Sequence, residues 1–126
     1  MIYDVMDLDV YNRALKALNL VYKLAKQIPN SNYKLSSQLT SAAEGIPAHI
    51  AEGWAKRRSA KEWKRFLDIG MGSSDETITQ ARAIRILADH FPRIDKELCD
   101  EVVSEYKIIS KQINRLRTTW VDYQKK

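Results

Sequence analysis

The sequence predicts an all-α protein folded as an antiparallel, up-down-up-down four-helix bundle. Apolar residues recur every three or four positions along four long stretches, which is the period of a helix with one buried face. The segments between those stretches are short, so consecutive helices must turn back on one another. Four glycines and three prolines in 126 residues are too few for the turns of a sandwich or barrel. A chain of this length suits a single domain spanning 1–126, large enough to bury a core without a metal or disulfide staple.

The first helix is predicted over about 10–28, with Asp9 as N-cap. Tyr11, Ala14, Leu18, Val21, Ala25 and Ile28 form its seam. Leu15 and Tyr22 widen the stripe on one side, and Ala17, Leu20 and Leu24 widen it on the other. A helix packed only inside its own chain does not need so broad a face, so the surplus predicts a subunit interface at Ala17, Leu20 and Leu24.

Pro29-Asn30-Ser31-Asn32 stops this helix and turns the chain. The second helix is predicted over about 33–56, with Leu35, Leu39, Ala42, Ile46, Ile50 and Trp54 inward. Pro47 removes one backbone hydrogen bond and crowds the carbonyl of Ala43. The apolar period continues across it, which favours one kinked helix over two short ones.

Ser59 followed by Glu62 is a capping-box pattern and starts the third helix, about 60–89. Its inward face is Trp63, Phe66, Leu67, Gly70, Ser74, Ile78, Ala81 and Ile84. The small residues Gly70, Gly72, Ser73 and Ser74 lower helix propensity, and they predict that another helix approaches closely there. His90-Phe91-Pro92-Arg93 breaks the chain, and the fourth helix is predicted over about 95–123. Leu98, Val102, Tyr106, Ile109, Ile113, Leu116 and Trp120 line it, and the residues after it should fray.

Catalytic and metal chemistry find little to work with, and neither metal nor cofactor is expected. His49 and Glu52 share a helical face, but a carboxylate-bridged metal site in a bundle needs a second Glu-x-x-His copy. Glu44, Glu52, Asp75 and Glu76 have no nucleophile or cofactor motif beside them. Gly70-Met71-Gly72 lacks the Lys-Ser/Thr ending and the preceding strand of a phosphate loop. A single cysteine, Cys99, excludes an intramolecular disulfide and reads as a partly buried helical side chain. No apolar run reaches membrane-spanning length, and the acidic stretch Met1–Asp9 does not resemble a secretion signal; a cytoplasmic protein is expected.

The strongest local signal is basic. Lys56, Arg57, Arg58, Lys61, Lys64 and Arg65 set six positive charges within ten residues, opposed only by Glu62. Lys61, Lys64 and Arg65 fall opposite Trp63, Phe66 and Leu67, which exposes the cluster at a corner of the bundle. Such a cluster fits a phosphate backbone. A solvated, solubilising face is the competing reading. Arg115, Arg117, Lys125 and Lys126 make a weaker second region, and Trp63 and Trp120 fall on apolar stripes as core residues.

Several segments also carry a family resemblance. These are Asp7-Leu8-Asp9-Val10-Tyr11, Tyr33-Lys34-Leu35-Ser36-Ser37-Gln38-Leu39, Ile46-Pro47-Ala48-His49-Ile50-Ala51-Glu52-Gly53-Trp54, Ser59-Ala60-Lys61-Glu62-Trp63-Lys64-Arg65-Phe66-Leu67 and Gly72-Ser73. In this order they resemble the four-helix-bundle family of the 23S rRNA-intervening-sequence proteins, related to the accessory variability proteins of diversity-generating retroelements. His49 stands where that family usually has Asn, and Ser74–Ile78 is more polar than usual. The resemblance implies a cytoplasmic, non-catalytic protein that assembles with copies of itself into a homopentameric ring. It implies, in the retroelement branch, binding to a reverse transcriptase and to nucleic acid. The expectation is therefore an oligomeric accessory protein that binds RNA or DNA through its basic cluster, with a scaffold recruiting a reverse transcriptase as the alternative.

Overall fold

A computed structural model describes residues 2–124, with side chains placed through residue 120. Four helices make up the fold: α1 (Asp9–Ala25), α2 (Tyr33–Ala55), α3 (Ala60–Leu87) and α4 (Lys96–Gln124). Short 3-10 turns at Val5–Asp7 and Asn30–Asn32 precede α1 and α2, and no strand occurs among the described residues. Each helix packs on two others, α1 on α2, α2 on α3, α3 on α4 and α4 on α1, which is the closed cycle of a four-helix bundle. Pro47 lies inside a single α2, as the unbroken apolar period requires.

The helix ends follow from local chemistry, with several differences from expectation. Asp9 is the first residue of α1 and not its cap; Leu8 occupies the cap position without a side-chain bond. The capping carboxylates act one step earlier. The Met6 amide donates to Asp4 at 2.8 Å, and Asp7 accepts from the amides of Tyr3 and Asp4 at 2.9 and 3.0 Å. Those two backbone donors hold the Asp7 carboxyl below the usual carboxylate range. α1 ends at Ala25; the Lys26 amide still reaches four residues back to Tyr22, and Gln27 and Ile28 tighten into bonds three residues back, because a residue before proline resists helical geometry. Ser59 caps α3 by accepting from the Glu62 amide at 3.2 Å, while Glu62 turns away to Arg65, so only half of the expected capping box forms. Arg93 Nε donates to the Gln27 carbonyl and the Asp95 amide to the Gln27 side chain, at 2.9 and 2.8 Å, tying the end of α1 to the α3–α4 corner.

All eight residues predicted to face inward on α3 are buried. On α1 the seam is rotated. Val10, Ala14, Ala17, Val21 and Leu24 are buried, continued by Ile28, while Tyr11, Leu18 and Ala25 lie half-buried at one flank. Ala17 and Leu24 therefore belong to the chain's own core and have no surface for a subunit interface. Of the three predicted interface residues only Leu20 keeps surface, joined by exposed Leu15 and Tyr22 on the opposite flank.

The close helix approach is also elsewhere than predicted. A methyl group at Gly70 would meet its neighbours at 3.9 Å or more, and one at Gly72 would meet nothing within 4 Å. At Gly53 it would lie 2.5 Å from Phe66 Cβ and 2.9 Å from the Trp63 ring, so α2 and α3 come together there. In the polar stretch of α3, buried Ser74 donates to the Tyr106 carbonyl at 3.0 Å and accepts from the Ser110 hydroxyl at 2.8 Å. Those bonds satisfy a polar side chain that burial would otherwise penalise.

Two buried acids of α4 make the fold sensitive to alkali. Cys99 is fully buried, and desolvation, aided by Asp100, pushes its thiol from an ordinary 9.0 up to about 11. Burial likewise raises the Tyr106 phenol, whose hydroxyl has no hydrogen-bond partner. Below pH 9.0 folded and unfolded chains both hold the thiol proton; above it the unfolded chain releases the proton first, until the folded thiol follows at about 11. Stability therefore falls as pH rises through that window. The urea midpoint is expected to drop between about pH 8 and about pH 10.5, and to drop less in a Cys99→Ala, Tyr106→Phe double variant. Parallel pH profiles for the two proteins would clear both side chains.

Candidate nucleic-acid interface

The six predicted cations gather where α2 hands over to α3. Lys56 ends α2, and the turn is closed by amide bonds from Lys56 to Gly53, from Arg57 to Trp54 and from Ser59 to Lys56, at 3.0, 3.2 and 3.1 Å. Lys56, Arg58, Lys61 and Arg65 are exposed, and Arg57 and Lys64 are half-buried. The cluster is thus on the surface, as its placement opposite Trp63, Phe66 and Leu67 predicts.

Aromatic rings position half of these charges. The Arg57 guanidinium lies 4.1 Å from the Trp54 ring centre, and its Nη1 donates to the Trp54 carbonyl at 3.0 Å. Lys56 and Arg65 both lie over Phe66, at 4.9 and 4.5 Å. A cation over an aromatic face is held by the ring quadrupole and loses side-chain freedom before any ligand arrives. The platform rings are themselves locked. Trp54, Trp63 and Trp120 meet edge-to-face in a closed triad, with centroids 6.0, 5.8 and 5.5 Å apart. His49 stacks on Phe66 at 6.5 Å. The two phenylalanine-facing cations and the Trp54 platform are contacts that sequence reading missed; the Trp54-to-Arg57 spacing of one helical turn was the available signal.

The charge balance of the corner is positive. Glu62 pairs with Arg65 at 2.9 Å, which lowers the Glu62 carboxyl, mainly through the hydrogen bond from Arg65. The other five cations of the cluster join no ion pair among the described residues. The rings beneath them are buried, so the surface offers charge and N–H donors and no flat ring for a base.

The remaining sequence candidates are scattered. Arg117 pairs with Asp68 at 2.6 Å, Arg115 is exposed on another side of α4, and Lys125 and Lys126 lie outside the described residues. Asp75 lies 3.1 Å from the Ser110 hydroxyl, and Glu44 accepts from the Tyr22 hydroxyl. Among the described residues no three His, Cys, Asp or Glu side chains gather as a metal site, and no helix is long and apolar enough to cross a membrane.

No curated protein matches the chain. The family described as 23S rRNA-intervening sequence protein matches it over residues 6–115, which takes in α1, α2, α3 and most of α4. With three helices, most of the fourth, the basic corner and the Ile46–Gly53 motif inside the match, the chain belongs to the 23S rRNA-intervening sequence protein family.

Proposed function

We propose that this chain is a non-catalytic, oligomeric accessory protein of the cytoplasm that binds RNA or DNA through the α2–α3 corner. The observation that supports it most is a set of five cations without ion pairs, three of the six cluster charges being braced on buried aromatic rings. Short connections make the bundle up-down-up-down and antiparallel. Exposed Leu15 and Tyr22 on one flank of α1 and half-buried Leu20 on the other supply apolar surface for a ring of copies, a homopentamer by family resemblance. A ring repeats the corner around its axis and multiplies weak phosphate contacts.

Arg58, Lys61 and Lys64 take part in neither an ion pair nor an aromatic stack, so changing them breaks no such contact of the fold. An Arg58→Glu, Lys61→Glu, Lys64→Glu variant should lose RNA binding by about a hundredfold or more at low salt. Wild-type affinity should fall with salt, and the triple variant should flatten the log–log slope by about 2.7, the value for three lost phosphate contacts. Fluorescence anisotropy measures both, and light scattering on the same samples gives the subunit number. Unchanged affinity in the triple variant ends the assignment of this corner. Binding of a reverse transcriptase in place of nucleic acid would move the corner to the scaffold reading, and a monomeric mass would remove the ring.

A further inference from the structure

A second group of cations lies far from the first in sequence and forms only when α3 and α4 pack. Arg82 of α3 and Lys107 and Lys111 of α4, one turn apart, border a shallow groove with Asp75, Thr79 and Ser110. All three cations are exposed, and none joins an ion pair among the described residues. They face one carboxylate, Asp75, which the Ser110 hydroxyl approaches at 3.1 Å.

The helix geometry aligns this group with the corner. Lys64 and Arg82 are eighteen residues apart, five full turns of α3, so they share a face about 27 Å apart along the axis. Asp68 and Asp75 lie on that stripe between them, and both reach α4, Asp68 at Arg117 and Asp75 at Ser110. Lys64 of the corner and the second cationic group therefore share the α3–α4 side of the bundle. At 3.4 Å per step, about 27 Å corresponds to about eight base pairs of B-form DNA, and to about ten of the shorter-stepped A-form RNA. Proteins that hold single strands stack bases on exposed aromatic rings. The rings of the corner, Trp54, Trp63 and Phe66, are buried, and the groove has none.

We infer that Arg82, Lys107 and Lys111 form a second phosphate contact, which grips the same nucleic-acid duplex as the corner and sets a footprint of about eight to ten base pairs without sequence preference. This rests on the reading of the corner as a nucleic-acid site. Two contacts on one packed bundle share one binding event, so the second raises affinity only for a duplex long enough to reach it.

The test uses the full chain and two hairpin RNAs, with stems of about 5 and about 14 base pairs, across about 50–200 mM salt. Replacing Arg82→Gln, Lys107→Gln and Lys111→Gln together should weaken binding of the long stem by about tenfold or more. The same variant should change the short stem by less than about twofold, and should flatten the long-stem salt slope by about 2–3. If the long stem binds this variant with wild-type affinity and slope while the corner variant still weakens binding, the nucleic-acid reading stands and the second contact is wrong. Equal weakening on both stems, or tighter binding of a single strand than of a stem of equal length, likewise overturns it. If wild type binds neither stem, the corner reading falls as well.

Discussion

Gly53→Ala is expected to destabilise the protein by about 2 kcal/mol or more, although the same change in an open helix is stabilising. An added methyl group would sit 2.5 Å from Phe66 Cβ and 2.9 Å from the Trp63 ring, against about 3.5–4.0 Å for an ordinary carbon contact. Phe66 Cβ is fixed to the backbone of α3, so no side-chain rotation clears the clash; α2 and α3 must move apart. Overpacking of this kind costs about 1–3 kcal/mol and sometimes more, and here the upper end applies. The gain in helix propensity, about 1 kcal/mol, offsets part of it.

Gly72→Ala is the internal control. It makes the same chemical change in open space, where nothing lies within 4 Å, and should add up to about 1 kcal/mol. Thermal unfolding followed by circular dichroism separates the two. Near a chain of this size each kcal/mol moves Tm by about 4 °C, so Gly53→Ala should melt about 8 °C or more below wild type and Gly72→Ala slightly above it. A Gly53→Ala protein as stable as wild type would mean that the α2–α3 contact is looser than described.

Gly53 also marks where sequence reading stops. The apolar period gave four helices, and α3 showed every inward residue on the predicted face. On α1 the period was ambiguous, because both flanks of the seam are apolar. The placement of α1 between α2 and α4 decides that Ala17 and Leu24 are core and that Tyr11 and Leu18 are flank. Glycines raise the same difficulty. A glycine inside a helical pattern signals a close approach only if the partner is known, and the partner of Gly53 lies ten and thirteen residues away on another helix. The sequence concentrated small residues around Gly70–Ser74, where the structure has polar bonds in place of tight packing. The basic corner was legible because its six charges fall within ten residues of the chain. Arg82, Lys107 and Lys111 were not, because at least twenty-five residues separate Arg82 from the others and only packing joins them.

The second large effect is expected at Trp63, which is fully buried and the most voluminous of the fully buried side chains. Trp63→Ala removes an indole that touches both Trp54 and Trp120 edge-to-face, at 6.0 and 5.5 Å, and leaves a cavity beneath the basic corner. Large-to-small changes of this size cost about 3–5 kcal/mol. Small domains have about 5–15 kcal/mol in total, so the variant should unfold at a markedly lower urea concentration. Trp63→Phe separates packing from polarity. The Trp63 Nε1 proton has no hydrogen-bond acceptor, so replacing the indole by a phenyl ring loses area but also removes an unpaired buried donor. Its cost should stay below about 2 kcal/mol, well under that of alanine. The functional consequence follows from the platform. Phe66 and Trp54 hold three of the corner's cations, and both rest on the tryptophan cluster or beside it. Trp63→Ala should therefore weaken RNA binding under conditions where the variant remains folded, with every charge still present, and Trp63→Phe should leave binding near wild type. Full RNA affinity in a folded Trp63→Ala protein would show that the cations act as independent surface charges and that the aromatic bracing beneath them serves stability alone.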